Sequence, residues 1–189
     1  MPPTERRNYR ASILRGYVAE VRRMGIFDEL RSGCSLALAP LLDDPRDAPP
    51  WVESGPLHEL LFAVRKLRGR EGVRQLGYGT TKHGGFTTVL EPIIHLSLRI
   101  LGGDPNSLFS RSQLMASVIS RGVEMKWVST GPVSGTMKMR CEAPMSDLSW
   151  AVWEGSILYG LELAGARGTV EPARRGDDGK SCEIDVRWR

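Results

Sequence analysis

Hydrophobic and polar residues alternate most regularly at the end of the chain. From Ser181 to Trp188, apolar and charged side chains fall on opposite faces, which is the period-two pattern of a half-buried strand. Turn residues fill 175–180, and 166–173 can supply a partner strand. A helix before them is predicted by apolar residues at helical spacing: Trp150, Trp153, Ile157, Leu161 and Ala164.

The first two thirds of the chain predict mainly helices. Apolar stripes indicate helices over 8–24, from Ser54 onward, and over 86–101. Asp104 and Pro105 have the residue types of an N-cap and a first helical position. Two strands follow, at Val123–Thr130 and Gly135–Cys141, because these runs are rich in strand-forming residues and are separated by a Gly-Pro turn.

Two segments are predicted to be irregular. Prolines and aspartates crowd 40–56, which we expect to be a loop, and glycines crowd 77–85, which we expect to connect two helices. The order of elements predicts one α+β domain over 1–189, with a helical part over about 1–121 and a sheet-plus-helix part over about 122–189. In that second part, a four-stranded antiparallel sheet (ββαββ) carries one amphipathic helix.

Composition narrows the class of protein. The chain is 41% hydrophobic and 25% charged, with a net charge of +4, which is ordinary for a globular domain and gives nucleic acid no strong attraction. No apolar run reaches the length of a membrane span. Cys34, Cys141 and Cys182 are widely spaced and odd in number, so we expect reduced thiols and a cytoplasmic location.

Few residues have the spacing of a chemical site. The run 77–85 resembles a phosphate loop, but Thr81 stands where that loop needs glycine. His95 has Glu91 and Arg99 one turn away on either side, which predicts that it lies on a polar face of its helix. His58 is predicted at the surface. With no catalytic constellation and no metal-ligand spacing, we expect a protein that is not an enzyme and that has no metal site.

The basic stretch 65–74 is predicted to be a solvated helix face, and whether it binds an anion stays open. Large apolar side chains of the second half are core candidates that can equally line a hydrophobic cavity between helix and sheet. We therefore assign candidate ligand-binding roles to four of them: Trp127, Met137, Trp150 and Trp153.

Several short runs resemble a family of unknown function found chiefly in myxobacteria. They include Phe27-Asp-Glu-Leu, Leu98-Arg-Ile-Leu-Gly-Gly, Trp153-Glu-Gly-Ser-Ile-Leu-Tyr-Gly and Cys182-Glu-Ile-Asp-Val-Arg-Trp. The resemblance spans 26–189 loosely and implies no particular chemistry.

The arrangement is also distantly similar to the haem NO-binding (H-NOX) domains and to related vinyl-reductase-type and TRAPP-type ligand-binding folds. By that resemblance His95 falls where H-NOX domains carry their proximal haem histidine. The run Trp127-Val-Ser-Thr-Gly131 falls near their Tyr-x-Ser-x-Arg propionate anchor, and only Ser129 matches it. The missing arginine removes the group that would pair with a propionate, so we expect no cofactor, with haem as the alternative.

These observations predict a non-enzymatic, cytoplasmic sensor or regulatory domain that binds a small hydrophobic ligand or a protein partner. One alternative is a haem-based gas sensor with His95 as axial ligand. Another is a dimeric protein-interaction module.

Overall fold

The computed structural model describes residues 8–84 and 104–189. Its helices are α1 (Ala11–Arg23), α2 (Phe27–Ser32), α3 (Ala39–Asp43), α4 (Ser54–His83), α5 (Pro105–Phe109), α6 (Ser112–Ile119) and α7 (Asp147–Leu163). Its strands are β1 (Asn8–Arg10), β2 (Trp51–Glu53), β3 (Val123–Gly131), β4 (Ser134–Cys141), β5 (Gly168–Val170), β6 (Arg174–Arg175) and β7 (Ser181–Trp188).

The main sheet is antiparallel and has the strand order β3-β4-β7-β5, with β6 paired to the first half of β7. Met139 of β4 lies opposite Met125 of β3 and Cys182 of β7. The alternation predicted for Ser181–Trp188 is confirmed, because Cys182 is buried and Arg187 is exposed. A separate ribbon pairs β1 with β2 in the helical part.

Helix α7 is packed on both sides. One face covers the sheet, where Trp150, Ile157 and Leu161 join a core built with the strands. The other face meets α4 so closely that a side chain on Gly155 would collide with the carbonyl oxygen of Arg74. A second core forms around α1 and α4, and α7 thereby connects the helical layer to the sheet.

The α+β class predicted from the sequence is confirmed, but the sheet is larger than expected. The predicted partner strand at 166–173 contains β5, and the short strand β6 follows it, so the main sheet has five strands and not four. The helix beginning at Asp104-Pro105 is confirmed, since the Asp104 carboxylate accepts a hydrogen bond of 3.1 Å from the Ser107 amide. The helix predicted over 86–101 lies outside the described residues.

Two predicted irregular segments are in fact partly regular. The segment 40–56 contains most of α3 and all of β2. Pro40 is compatible with α3 because it lies in the first turn, where its missing amide costs no hydrogen bond. The segment 77–85 continues α4 as far as His83. Its glycines lie where α4 meets its neighbours. Nearer the beginning of α4, Gly69 has a φ of 68° and bends the helix.

Strand β3 forms one margin of the main sheet, and α6 lies along it. The side-chain oxygen of Gln113, on α6, accepts a hydrogen bond of 2.6 Å from the backbone amide of Met125. A side chain thus accepts the hydrogen bond of a β3 backbone amide that points away from the sheet. Within 8–84 and 104–189, no helix has both the length and the apolar character needed to cross a membrane.

Candidate ligand cavity

A cavity of about 40 Å³ lies where α1, α4 and α7 meet. A water molecule needs roughly 10–15 Å³ by this kind of measure, so the space suits a few waters or a diatomic molecule. Its apolar walls are formed by Ile13, Leu57, Leu61, Val152 and Trp153. Its polar groups belong to Tyr9, Tyr17, His58, Thr80, Thr81, Ser149 and Ser156.

Helical periodicity explains why these side chains converge. On α7 the lining positions are 149, 152, 153 and 156, which fall on one face because residues three and four apart are neighbours on a helix. The first segment of α4 contributes Leu57 and Leu61 in the same way. The bend at Gly69 then lets the second segment present Thr80 and Thr81 to the same space.

His58 is tied to the beginning of α7. Its Nε2 atom lies 3.1 Å from the Ser149 hydroxyl, which in turn lies 3.0 Å from the hydroxyl of Ser146. Ser146 is the N-cap of α7 and accepts a hydrogen bond from the Ser149 amide. The expectation of a surface position for His58 was wrong, because its ring is half-buried on the cavity wall.

Thr80 and Tyr17 supply two buried polar groups of the cavity. Thr80 is 5% exposed, and its hydroxyl finds no hydrogen-bond partner within the described parts of the chain. Because buried hydroxyls are normally hydrogen-bonded, this hydroxyl is a candidate to bind a ligand or a water molecule. Burial, together with the nearby charge of Tyr9, raises the pKa of Tyr17, so its phenol stays protonated at neutral pH.

The four predicted ligand-binding residues lie in different surroundings. Trp127 donates a hydrogen bond of 2.9 Å to the Asn106 side chain, and its ring packs against Phe109. Met137 and Trp150 are buried in the core between α7 and the sheet. Trp153 lines the cavity described above. The ligand-binding role of these four residues stays a prediction.

Only one of the two segments singled out by the H-NOX resemblance lies among the described residues. His95, the predicted axial ligand, lies outside the described residues. In β3, the Ser129 hydroxyl donates to the carbonyl oxygen of Gly131 at 3.1 Å. Gly131 offers no cation where the resembling motif carries arginine.

The basic stretch is not only a solvated face. Arg70 binds both carboxylate oxygens of Glu154, at 3.0 and 2.6 Å, and Arg74 donates to the carbonyl oxygen of Val170 at 2.8 Å. These two arginines hold α4 against α7 and the sheet. No three His, Cys, Asp or Glu side chains of residues 8–84 and 104–189 come together as a metal site would require.

No protein-family model and no curated protein matches this chain. Solved structures, in contrast, match it over nearly their whole length. The unliganded Fe(II) H-NOX protein from K. algicida has a TM-score of 0.64 and 10% identity, covering 95% of this chain and 96% of that one. An H-NOX structure from a study of haem distortion has a TM-score of 0.65 and 14% identity, covering 95% of each.

A variant H-NOX protein from T. tengcongensis also matches, with a TM-score of 0.64, 15% identity and coverage of 95% of this chain and 97% of that one. At such low identity the comparison establishes the fold, and the chain has the fold of the H-NOX domains. The resemblance predicted from the sequence is confirmed at that level. The comparisons do not bear on the myxobacterial family.

The comparisons also correct one expectation. We expected no cofactor because the propionate-anchoring arginine is missing, and this was wrong. The structures that share the fold include an Fe(II) H-NOX protein and one studied for haem distortion, so the departures from the anchor motif at Trp127 and Gly131 were too little to exclude the group.

Proposed function

We propose that this chain is a haem-based sensor domain in which His95 is an axial ligand of the iron. The observation that carries the proposal is the shared fold, which covers 95% of this chain and 96% of an Fe(II) H-NOX protein. A histidine at the position given by the resemblance supplies the imidazole that haem iron commonly binds.

The cavity between α1, α4 and α7 shares only its apolar character with a haem pocket. Leucine, isoleucine, valine and tryptophan side chains form its apolar walls, and the Thr80 hydroxyl has a hydrogen bond to give that no described residue accepts. The described walls enclose about 40 Å³, well below the roughly 300–1,000 Å³ of typical ligand pockets. The cavity as described is too small for a porphyrin, so the proposal is carried by the shared fold and not by this cavity.

The residues of this chain would have distinct tasks. Ile13, Leu57 and Leu61 give the cavity apolar walls, and Tyr17 keeps its proton and remains a hydrogen-bond donor. No Lys or Arg lines the described cavity, so none of its described residues would pair with a propionate. When bound, the haem would supply an iron able to take a diatomic gas.

The test is reconstitution of purified protein with haem, followed by visible absorption. We expect a Soret band at one haem per chain. In His95→Gly the band should shift or disappear, and added imidazole should restore it, because free imidazole can occupy the space of the lost ring. A protein that shows no Soret band, or whose spectrum His95→Gly leaves unchanged, would contradict the proposal.

A further inference from the structure

An open groove of about 860 Å³ lies across the main sheet, and charged side chains of β3, β4, β6 and β7 line it. Five of the lining residues are cations: Lys126, Lys138, Arg140, Arg174 and Arg175. Against them stand the carboxylates of Glu124 and Glu183. The described lining therefore has an excess of three positive charges, in a chain whose net charge is +4. We call this surface the basic groove.

The register of the strands sets four of these charges in a row across the sheet. Lys126 of β3 lies directly opposite Lys138 of β4. On β7, Glu183 lies opposite Lys138 on one side and Arg174 of β6 on the other. Its carboxylate pairs with both cations, at 2.7 and 3.2 Å. Hydrogen bonds with Lys138 and then Arg174 hold the pKa of Glu183 below its ordinary value, so this carboxylate is charged and already engaged at neutral pH.

Lys126 is left beside a like charge. Like charges directly opposite each other on antiparallel strands are destabilising, and no carboxylate of residues 8–84 and 104–189 forms an ion pair with Lys126. Arg140 forms no ion pair within that part of the chain either, although its charge helps to lower the pKa of Asp178. An anion that enters the basic groove would therefore meet two exposed cations that are free to pair with it.

We infer that the basic groove binds an acidic segment of a partner protein, whose carboxylates pair with Lys126 and Arg140. The row from β3 to β6 crosses four strands, which places its outermost cations about 14 Å apart at the usual strand spacing. Cations spread over such a distance suit several carboxylates along an extended segment, and not one small anion. The inference is independent of the haem function.

The composition of the basic groove favours an acidic protein segment over a nucleic acid. Glu124 and Glu183 would repel a continuous phosphate backbone, whereas carboxylates on a peptide can be spaced to avoid them. No aromatic ring lines the described groove, so it lacks the stacking surface on which single-stranded bases are usually bound.

The experiment measures fluorescence anisotropy of a labelled peptide that alternates glutamate and serine, mixed with the purified chain. We expect binding that weakens as sodium chloride is added, because salt screens exposed charges. Lys126→Gln and Arg140→Gln should each weaken it by about two- to fivefold, the scale of an exposed ion pair. Lys66→Gln is the matched control, since it removes the same charge from an exposed position on α4 outside the groove, and it should bind as wild type does.

Thermal unfolding separates binding from folding. Lys126→Gln should unfold at or above the wild-type temperature, because it removes one of two opposed like charges, and a lower temperature would contradict the repulsion on which the inference rests. Absence of peptide binding at low salt, or equal weakening by Lys66→Gln and Lys126→Gln, overturns the inference. Tighter binding of a labelled oligothymidylate than of the acidic peptide overturns it in favour of nucleic acid. None of these measurements requires haem, so a failure here leaves the haem function untouched.

Discussion

Arg70 and Glu154 form an ion pair that joins α4 to α7, with Glu154 buried and Arg70 partly exposed. The guanidinium binds both carboxylate oxygens, at 3.0 and 2.6 Å, and Glu154 is completely buried. The same carboxylate accepts a hydrogen bond of 2.8 Å from the amide of Ala173, between β5 and β6. One buried charge therefore connects the helical layer, α7 and the sheet.

We predict that Arg70→Ala strongly destabilises the fold. It leaves the Glu154 carboxylate buried without its counter-ion, which typically costs about 3–5 kcal/mol. Urea unfolding followed by circular dichroism measures the change. Arg46→Ala is the control, because Arg46 pairs with Asp44 at the surface, where such pairs contribute about 0–1 kcal/mol. Equal losses in the two variants would contradict the prediction.

A methyl group at position 155 should also be costly. In Gly155→Ala the new Cβ meets the backbone carbonyl of Arg74, so α4 and α7 must separate, and overpacking of this kind costs about 1–3 kcal/mol. Gly55→Ala is the matched control, since nothing lies within 4 Å of a Cβ there. Alanine favours helices over glycine by about 1 kcal/mol, so the control should be as stable as wild type or more so. Thermal unfolding of the two variants compares them.

Acid should weaken the sheet through Asp185. Its hydrogen bonds with Arg174 and then with Thr136 hold the pKa of Asp185 below the ordinary value of 3.8. A lowered pKa in the folded state means that this contribution is present above 3.8 and is lost as the pH falls through the folded-state pKa. Asp185→Asn should therefore show a shallower loss of unfolding free energy below pH 3.8 than wild type.

Urea titrations at a series of pH values test this expectation. Asp47→Asn, at an exposed loop position, serves as the control and should follow the wild-type curve. Parallel curves for wild type and Asp185→Asn would show that the carboxylate is not linked to stability.

The cysteines should differ in reactivity. Cys182 is 2% exposed, and burial, with a smaller effect of the neighbouring Cys141, raises the pKa of its thiol to about 12. Because the thiolate is the reactive form, iodoacetamide at neutral pH should modify the half-buried Cys34 first and Cys182 only after unfolding. Peptide mass spectrometry over time gives the order. Labelling of Cys182 as fast as Cys34 in folded protein would refute it.

Local patterns in the sequence predicted the local parts of the fold. The alternation at Ser181–Trp188, the stripe of α7 and the Asp104 cap all depend on residues within a few positions of each other. These local patterns predict the folded structure because the apolar face that they define is the face that a neighbouring element covers.

The contacts that build the cavity depend on distant residues and were not predictable in this way. His58 and Ser149 are 91 positions apart, and Arg70 and Glu154 are 84 apart. The glycines of 77–85 indicated a connection because glycine weakens helices, whereas here Gly77 gives the Val152 backbone room to approach α4. Small residues at helical spacing, such as Gly77, Thr80 and Thr81, were the available signal for close helix packing.

The contact between Gln113 and the Met125 amide has a consequence for assembly. An incoming chain that extends a sheet must form main-chain hydrogen bonds with the outermost strand, a mode known as β-augmentation. At β3 the guest would first have to displace the Gln113 side chain, held at 2.6 Å, and the helix α6 that bears it. A homodimer or a partner complex of this protein should therefore use side-chain surfaces and not a continuous intermolecular sheet through β3.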